Sequence, residues 1–120
     1  MSLSANTVTI HPYFKAHAGR AEAFRAALPA FIERTTGEAG NLFYEFSANG
    51  DEFFCREGYT GAEAVLAHLD NVGALLTEAL KIADLARLEF HGPAAEIAKL
   101  KEPLAALNPA WFIVECRLES

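Results

Sequence analysis

The sequence predicts an α+β domain, one antiparallel sheet with its helices on a single face, from three observations. Apolar residues repeat with period two in five short segments and with period 3.6 in the stretches between, the switch that separates strands from helices. Two of the strand-like segments flank a short polar stretch holding Asn49-Gly50, as in a hairpin. A chain of 120 residues is one domain's worth, and nine Phe supply filling for its core.

The first strand is Thr7 to Lys15, with Val8, Ile10 and Phe14 on one face and Thr9, His11 and Tyr13 on the other. Pro12 has no N–H to share, which points to an edge strand or a bulge. Gly19 to Thr36 carries a helical stripe of Phe24, Leu28, Phe31, Ile32 and Thr35. Pro29 interrupts it by removing a hydrogen bond to Arg25, which predicts a kink costing about 3 kcal/mol if nothing compensates. Asn41 to Ser47 and Glu52 to Tyr59 form the hairpin, with Asn-Gly suited to positive φ at both central turn positions.

Thr60 followed by Glu63 is a capping-box pattern and starts a helix. Its apolar period runs from Val65 to Ala83, with a break between Asn71 and Gly73. Asp84 to His91 alternates again. Gly92-Pro93 then opens a last helix whose stripe is Ile97, Leu100, Leu104 and Leu107, with Pro103 at a kink or end. Trp111 to Leu118 closes as a strand with Phe112, Val114, Cys116 and Leu118 facing one way. Met1 to Asn6 is small and polar and is expected to fray.

The order β α β β α β over residues 7–92 is ferredoxin-like, a four-stranded antiparallel sheet with helices on one face. Residues 93–120 add a helix and strand, packed on the same domain or on a partner's sheet edge. Strand residues of both parities are apolar: Leu42, Tyr44 and Phe46 against Phe43, Phe53 and Cys55 against Phe54, Leu85 against Ala86, Leu88 and Phe90. A sheet apolar on both faces with helices for only one predicts a homodimer of sheets packed face to face.

Composition excludes several classes. The net charge of −6 argues against nucleic acid or an anionic membrane as partner. No apolar run reaches the roughly 18 residues of a membrane span, and Met1 to Ile10 lacks a secretory pattern, so a cytoplasmic protein is expected. Cys55 and Cys116 lack metal-type spacing and are expected to be buried, reduced thiols. No dinucleotide turn, P-loop or HExxH is present, and the spacing of His11, His17, His68 and His91 fits no chelating motif, so neither cofactor nor metal is expected.

The segment GEAGNLFYEF, then a hairpin, then REGYTGAEAVLAHLDN carries a recognisable series: Glu38, Gly40, Asn41, Tyr44, Glu45, Glu57, Ala67, His68 and Leu69. In this order it resembles the antibiotic biosynthesis monooxygenase family, which includes small quinol monooxygenases. The resemblance spans about Thr7 to Gly92 and implies a dimeric α+β barrel that oxidises electron-rich phenols or hydroquinones with O2, without metal, flavin or haem. Three departures stand out: Tyr59 replaces the usual Trp, Ala39 the turn Pro, and Gly73 lies near a frequent second His. The Asn, Trp and His of haem-degrading relatives have no clear match, which argues against haem degradation.

Such chemistry needs a base to make the substrate anion, an apolar pocket and a few donors for the oxyanion. His68 titrates in the right range and lies one turn from Val65 and Val72, as a base or as a partly buried structural histidine. Glu57 and Tyr59 share a strand face and can both reach a polar substrate group; the structural alternative for Glu57 is to cap or to pair with Arg56 or Arg87. Tyr44, Arg87 and His11 are candidate substrate contacts. Their structural alternatives are a core aromatic for Tyr44, an ion pair for Arg87 and a plain strand residue for His11. Cys55, amid Phe53, Phe54 and Arg56, carries no mark of an activated nucleophile. The leading expectation is a cofactor-independent monooxygenase. The alternatives are an isomerase of a small oxygenated metabolite using the same base, and a non-catalytic dimeric ligand-binding or stress-response module.

Overall fold

The computed structural model describes residues 5–118, so the fraying expected at residues 1–4 lies outside the described residues. Its elements are β1 (Val8–Ala16), α1 (Ala21–Thr35), β2 (Asn41–Asn49), β3 (Glu52–Tyr59), α2 (Ala62–Asn71), α3 (Gly73–Ala79), β4 (Ala83–Gly92), α4 (Ala94–Lys101) and β5 (Ala110–Ile113). The sheet order is β2-β3-β1-β4-β5, antiparallel through the first four strands, and the fold is α+β and ferredoxin-like. No helix among the described residues is long and apolar enough to cross a membrane.

The final strand is a correction. Only Ala110–Ile113 is a strand, and it pairs in parallel with β4 of its own chain, so the sheet has five strands and is mixed. Val114 N–H still donates to the Gly92 carbonyl, but the strand goes no further: Cys116 is exposed, not buried, and Leu118 is 90% exposed. Pro12 is also not at an edge, because β1 sits at the sheet's centre. The ladder to β3 lapses between Ile10↔Glu57 and Tyr13↔Phe54, where proline has no N–H to give, and the ladder to β4 shifts register directly after, between Tyr13 and Phe14.

That shift changes which face β4 presents. Tyr13 pairs with Arg87 and Phe14 with Leu85, leaving Ala86 as the extra residue of a bulge. Leu85, Leu88 and Phe90 therefore all turn to the helices, against the parity expected from alternation. The opposite face of β4 is left to Arg87, Glu89 and His91.

Smaller corrections have local causes. The hairpin closes at Asn49↔Glu52, so its central residues are Gly50 and Asp51, and only Gly50 has positive φ (65°), as glycine at the first position of a type II′ turn requires. Helix α1 runs through Pro29 and buries Phe24, Phe31 and Thr35. Ile32 is exposed because β2 is the edge strand, with no described strand beyond it to cover that flank. Leu107, expected on the last helix's stripe, is also exposed, since α4 ends at Lys101 and a short 3-10 turn follows.

The capping box does not form. The cap position of α2 is Gly61, no side chain of its own segment caps it, and Ala62 N–H donates to Glu96 Oε1 of α4 at 2.9 Å. Glu96 thus ties the C-terminal helix to the start of α2, and this hydrogen bond holds its carboxyl below the usual carboxylate range. Glu96→Ala is expected to lower stability by about 1–2 kcal/mol at pH 7 in urea unfolding, as loss of a helix cap does. Because the folded carboxyl is depressed, that contribution is present above its unfolded pKa and fades as pH falls through the folded one. A variant as stable as wild type at pH 7 would show that the cap contributes nothing.

The core has two lobes on the helix face. Val8, Ile10, Tyr59, Val65, Phe90, Ile97 and Leu100 fill one; Phe14, Phe24, Phe31, Phe53, Val72 and Ala79 fill the other.

Candidate active site

A buried carboxylate lies where the lobes meet. Glu57, 4% exposed, stands on β3 with Ile10 of β1 and Tyr44 of β2 as its ladder neighbours, all turned to the helices. Tyr59, two residues along the same face, donates its hydroxyl hydrogen to Glu57 Oε1 at 2.7 Å. Above them His68, 2% exposed, points inward from α2, its Nε2 3.3 Å from Glu57 Oε1. Its Nδ1 lies 2.9 and 3.0 Å from the two oxygens of Glu38, in the turn after α1.

Glu38 is itself held. Asn71 Nδ2 donates to Glu38 Oε2 at 2.7 Å and to the Arg34 carbonyl at 2.9 Å, while the Arg34 guanidinium donates back to the Asn71 carbonyl and Oδ1. The ends of α1 and α2 are thereby clamped around one carboxylate. Because Glu38 accepts from Nδ1–H, the hydrogen-bond pattern assigns the neutral imidazole its proton there and leaves the Nε2 lone pair facing Glu57.

Burial sets the protonation. It pushes Glu57 up to about 7, against the stabilising hydrogen bonds of Tyr59 and Cys55. It pushes His68 below 6.5, against the pull of Glu38. Near neutral pH the site therefore pairs a neutral imidazole with a carboxyl close to half protonated, two groups able to take up and return a proton. Burial and the Glu57 charge raise Tyr59, Tyr44 and Cys55, so these stay protonated and act as donors. The raised Cys55 thiol is the opposite of an activated nucleophile.

The group opens on a cavity of about 70 Å³ whose walls include Ile10, Phe24, Leu69, Leu76, Leu88 and Phe90. Tyr44 forms part of its wall, with its ring 5.2 Å from that of His68. Of the candidates named from sequence, His68, Glu57, Tyr59 and Tyr44 come together here. Glu57 does not pair with Arg56 or Arg87, which bind Glu45 and Glu89.

His11 and Arg87 do not join the group. They lie on the opposite sheet face, where His11 packs 4.5 Å from the ring of His91, and Arg87 pairs with Glu89. The sheet separates them from the cavity, which corrects their expected place around the same substrate. Glu38 and Asn71 were missed as site residues: one belongs to a turn and the other to a helix end, and no local spacing marks either. Glu38 already stood in the family-like series, which was the only signal for it.

Residues 7–76 match the family model described as antibiotic biosynthesis monooxygenase. The chain belongs to this family. Among solved structures it is similar to MupZ from Pseudomonas fluorescens, at 41% identity and a TM-score of 0.91, covering 96% of this chain and 95% of that one. Similarity to a solved structure thus continues through α4 and β5, beyond the residues that match the family model. More distant likenesses show the fold alone: SO0527 from Shewanella oneidensis (20% identity, TM-score 0.66, 73% of this chain and 91% of that one) and Rv0793 from Mycobacterium tuberculosis (24%, 0.64, 73% and 95%). No curated protein matches the sequence.

Proposed function

We propose that the chain is a cofactor-independent monooxygenase acting on an electron-rich phenol or hydroquinone, with His68 as base. The observation that carries this reading is the buried His68–Glu57 pair, an oriented base beside a partly protonated acid on an apolar cavity, in a member of this family. His68 Nε2 takes the phenolic proton, and the electron-rich anion passes one electron to O2. The two radicals join as a peroxide. Loss of water then breaks the O–O bond and the C–H bond at the same carbon: the inner oxygen stays on carbon as a carbonyl, and the outer one leaves as water with the phenolic proton returned by His68 and a second from Glu57, which the C–H proton replaces, so that all four electrons come from the substrate. Tyr44, on the cavity wall, donates a hydrogen bond to the oxyanion, while the Tyr59 hydroxyl stays on Glu57 and positions it.

A second reading is isomerisation without O2, favoured by the same acid–base pair: His68 removes a proton from one atom and Glu57 returns one to another. The deciding experiment follows O2 consumption by metal-stripped protein against a panel of hydroquinones and polycyclic phenols. Uptake above protein-free autoxidation supports the first reading, and turnover without uptake supports the second. Neither uptake nor turnover across the panel overturns both and leaves a binding module.

The functional unit is proposed to be a homodimer joined through the bare sheet face. That face carries Tyr13, Phe54, His11 and His91, with Phe112 stacked on His91, and no helix among the described residues covers it. Sedimentation at micromolar concentration is expected to give twice the chain mass; a monomer would overturn it.

A further inference from the structure

The His68 cavity is smaller than the molecule it is proposed to transform. At about 70 Å³ it has room for a few water molecules, whereas a dry apolar cavity of about 150 Å³ accommodates benzene. An oxygenated ring therefore reaches His68 only if a wall moves, and the walls differ in thickness. Most are sheet, or helix backed by core. Between α1 and the edge strand β2 the wall is a single layer of side chains: Leu28, Tyr44 and Phe46 line the cavity on one side and an open surface groove of about 570 Å³ on the other. Tyr44 touches the rings of both His68 (5.2 Å) and Phe46 (5.4 Å), so one ring separates the groove from the imidazole.

This wall is also lightly braced. All three side chains are half-buried, and among the described residues no strand lies outside β2. Pro29, which lines the groove from within α1, supplies no N–H to the Arg25 carbonyl. We propose that the groove between α1 and β2 is the substrate's route to His68, and that Leu28, Tyr44 and Phe46 form its gate. The substrate class that fits is an elongated, largely apolar molecule whose oxygenated end meets His68 while its body lies in the groove. This rests on His68 being the reaction centre, but access to His68 is measurable without turnover.

Diethyl pyrocarbonate acylates neutral imidazole, and peptide mass spectrometry of the labelled whole chain resolves each histidine. Leu28→Trp is expected to slow labelling of His68 about tenfold or more, and Phe46→Ala to speed it several-fold, as a gate on local opening requires. His17, half-exposed beside Asp84, is expected to label at one rate in all variants and so reports an intact fold. Equal His68 rates in all three proteins would overturn the gate. A series of 4-alkylphenols from ethyl to nonyl then tests the substrate class. Protection of wild-type His68 is expected to strengthen with chain length, and that trend is expected to vanish in Leu28→Trp. Protection independent of chain length, or a trend that survives in Leu28→Trp, would overturn the elongated substrate. A null oxygen-uptake result would leave these labelling outcomes intact, so the failure of one reading is distinguishable from the failure of the other.

Discussion

His68→Ala is expected to lower turnover about 10²–10⁴-fold, the usual worth of a positioned general base. The effect is placed on His68 because it alone combines a free nitrogen lone pair, contact with the acid and a fixed tautomer. Alanine also leaves Glu38 and Glu57 without the ring between them, which adds an unfolding risk. His68→Gln separates the two effects: its amide can still donate to Glu38, but it has no base in the working pH range. Both variants are measured in whichever assay registers wild-type turnover, with thermal unfolding alongside. A His68→Gln protein that melts like wild type and turns over at the wild-type rate would remove His68 from the chemistry.

Glu57→Gln is expected to alter how stability depends on pH. The folded carboxyl titrates at about 7 against 4.5 unfolded, so between these values the folded state holds more protons. Stability on account of Glu57 then falls as pH rises through this window, by about 3 kcal/mol in all, and the loss is complete above pH 7. His68 works in the opposite sense below 6.5: its folded pKa is depressed, so its contribution is present above 6.5 and is lost as pH falls through the folded value. The comparison of wild type with Glu57→Gln isolates the first term. Glutamine can keep the hydrogen bond from Tyr59 on its carbonyl oxygen and never carries charge. The variant should therefore gain on wild type as pH rises from 5 to 8, and should be the more stable protein at pH 8. Urea midpoints at the two pH values check this. Parallel pH curves for the two proteins would show that Glu57 is not a buried, raised carboxyl.

Much of the fold was legible because secondary structure is written in local periods. The hairpin, the helix break at Asn71 to Gly73 and the Pro93 helix start each depend on residues a few positions apart. The failures occurred where distant segments decide. Alternation assigned Leu85 and Leu88 to opposite faces, but a single bulge at Ala86 puts both on the cavity side. The capping box at Thr60 lost to Glu96, which takes the Ala62 N–H from 34 residues away. Arg87 and His11 looked like partners of His68 on residue type alone, and the pleat of the sheet put them on its other side.

By itself the sequence determined the order of strands and helices, the sharing of one face by Glu57 and Tyr59, and the family. Periodicity, turn chemistry and a short ordered series of residues carry that information. Only the tertiary structure decided that Glu38, His68 and Glu57 form one chain of contacts and that Glu57 is a carboxyl near neutral pKa. The reason is physical: burial, strand register and helix docking are properties of all the elements together. A carboxylate's charge state depends on what surrounds it in space, not on what stands beside it in the chain.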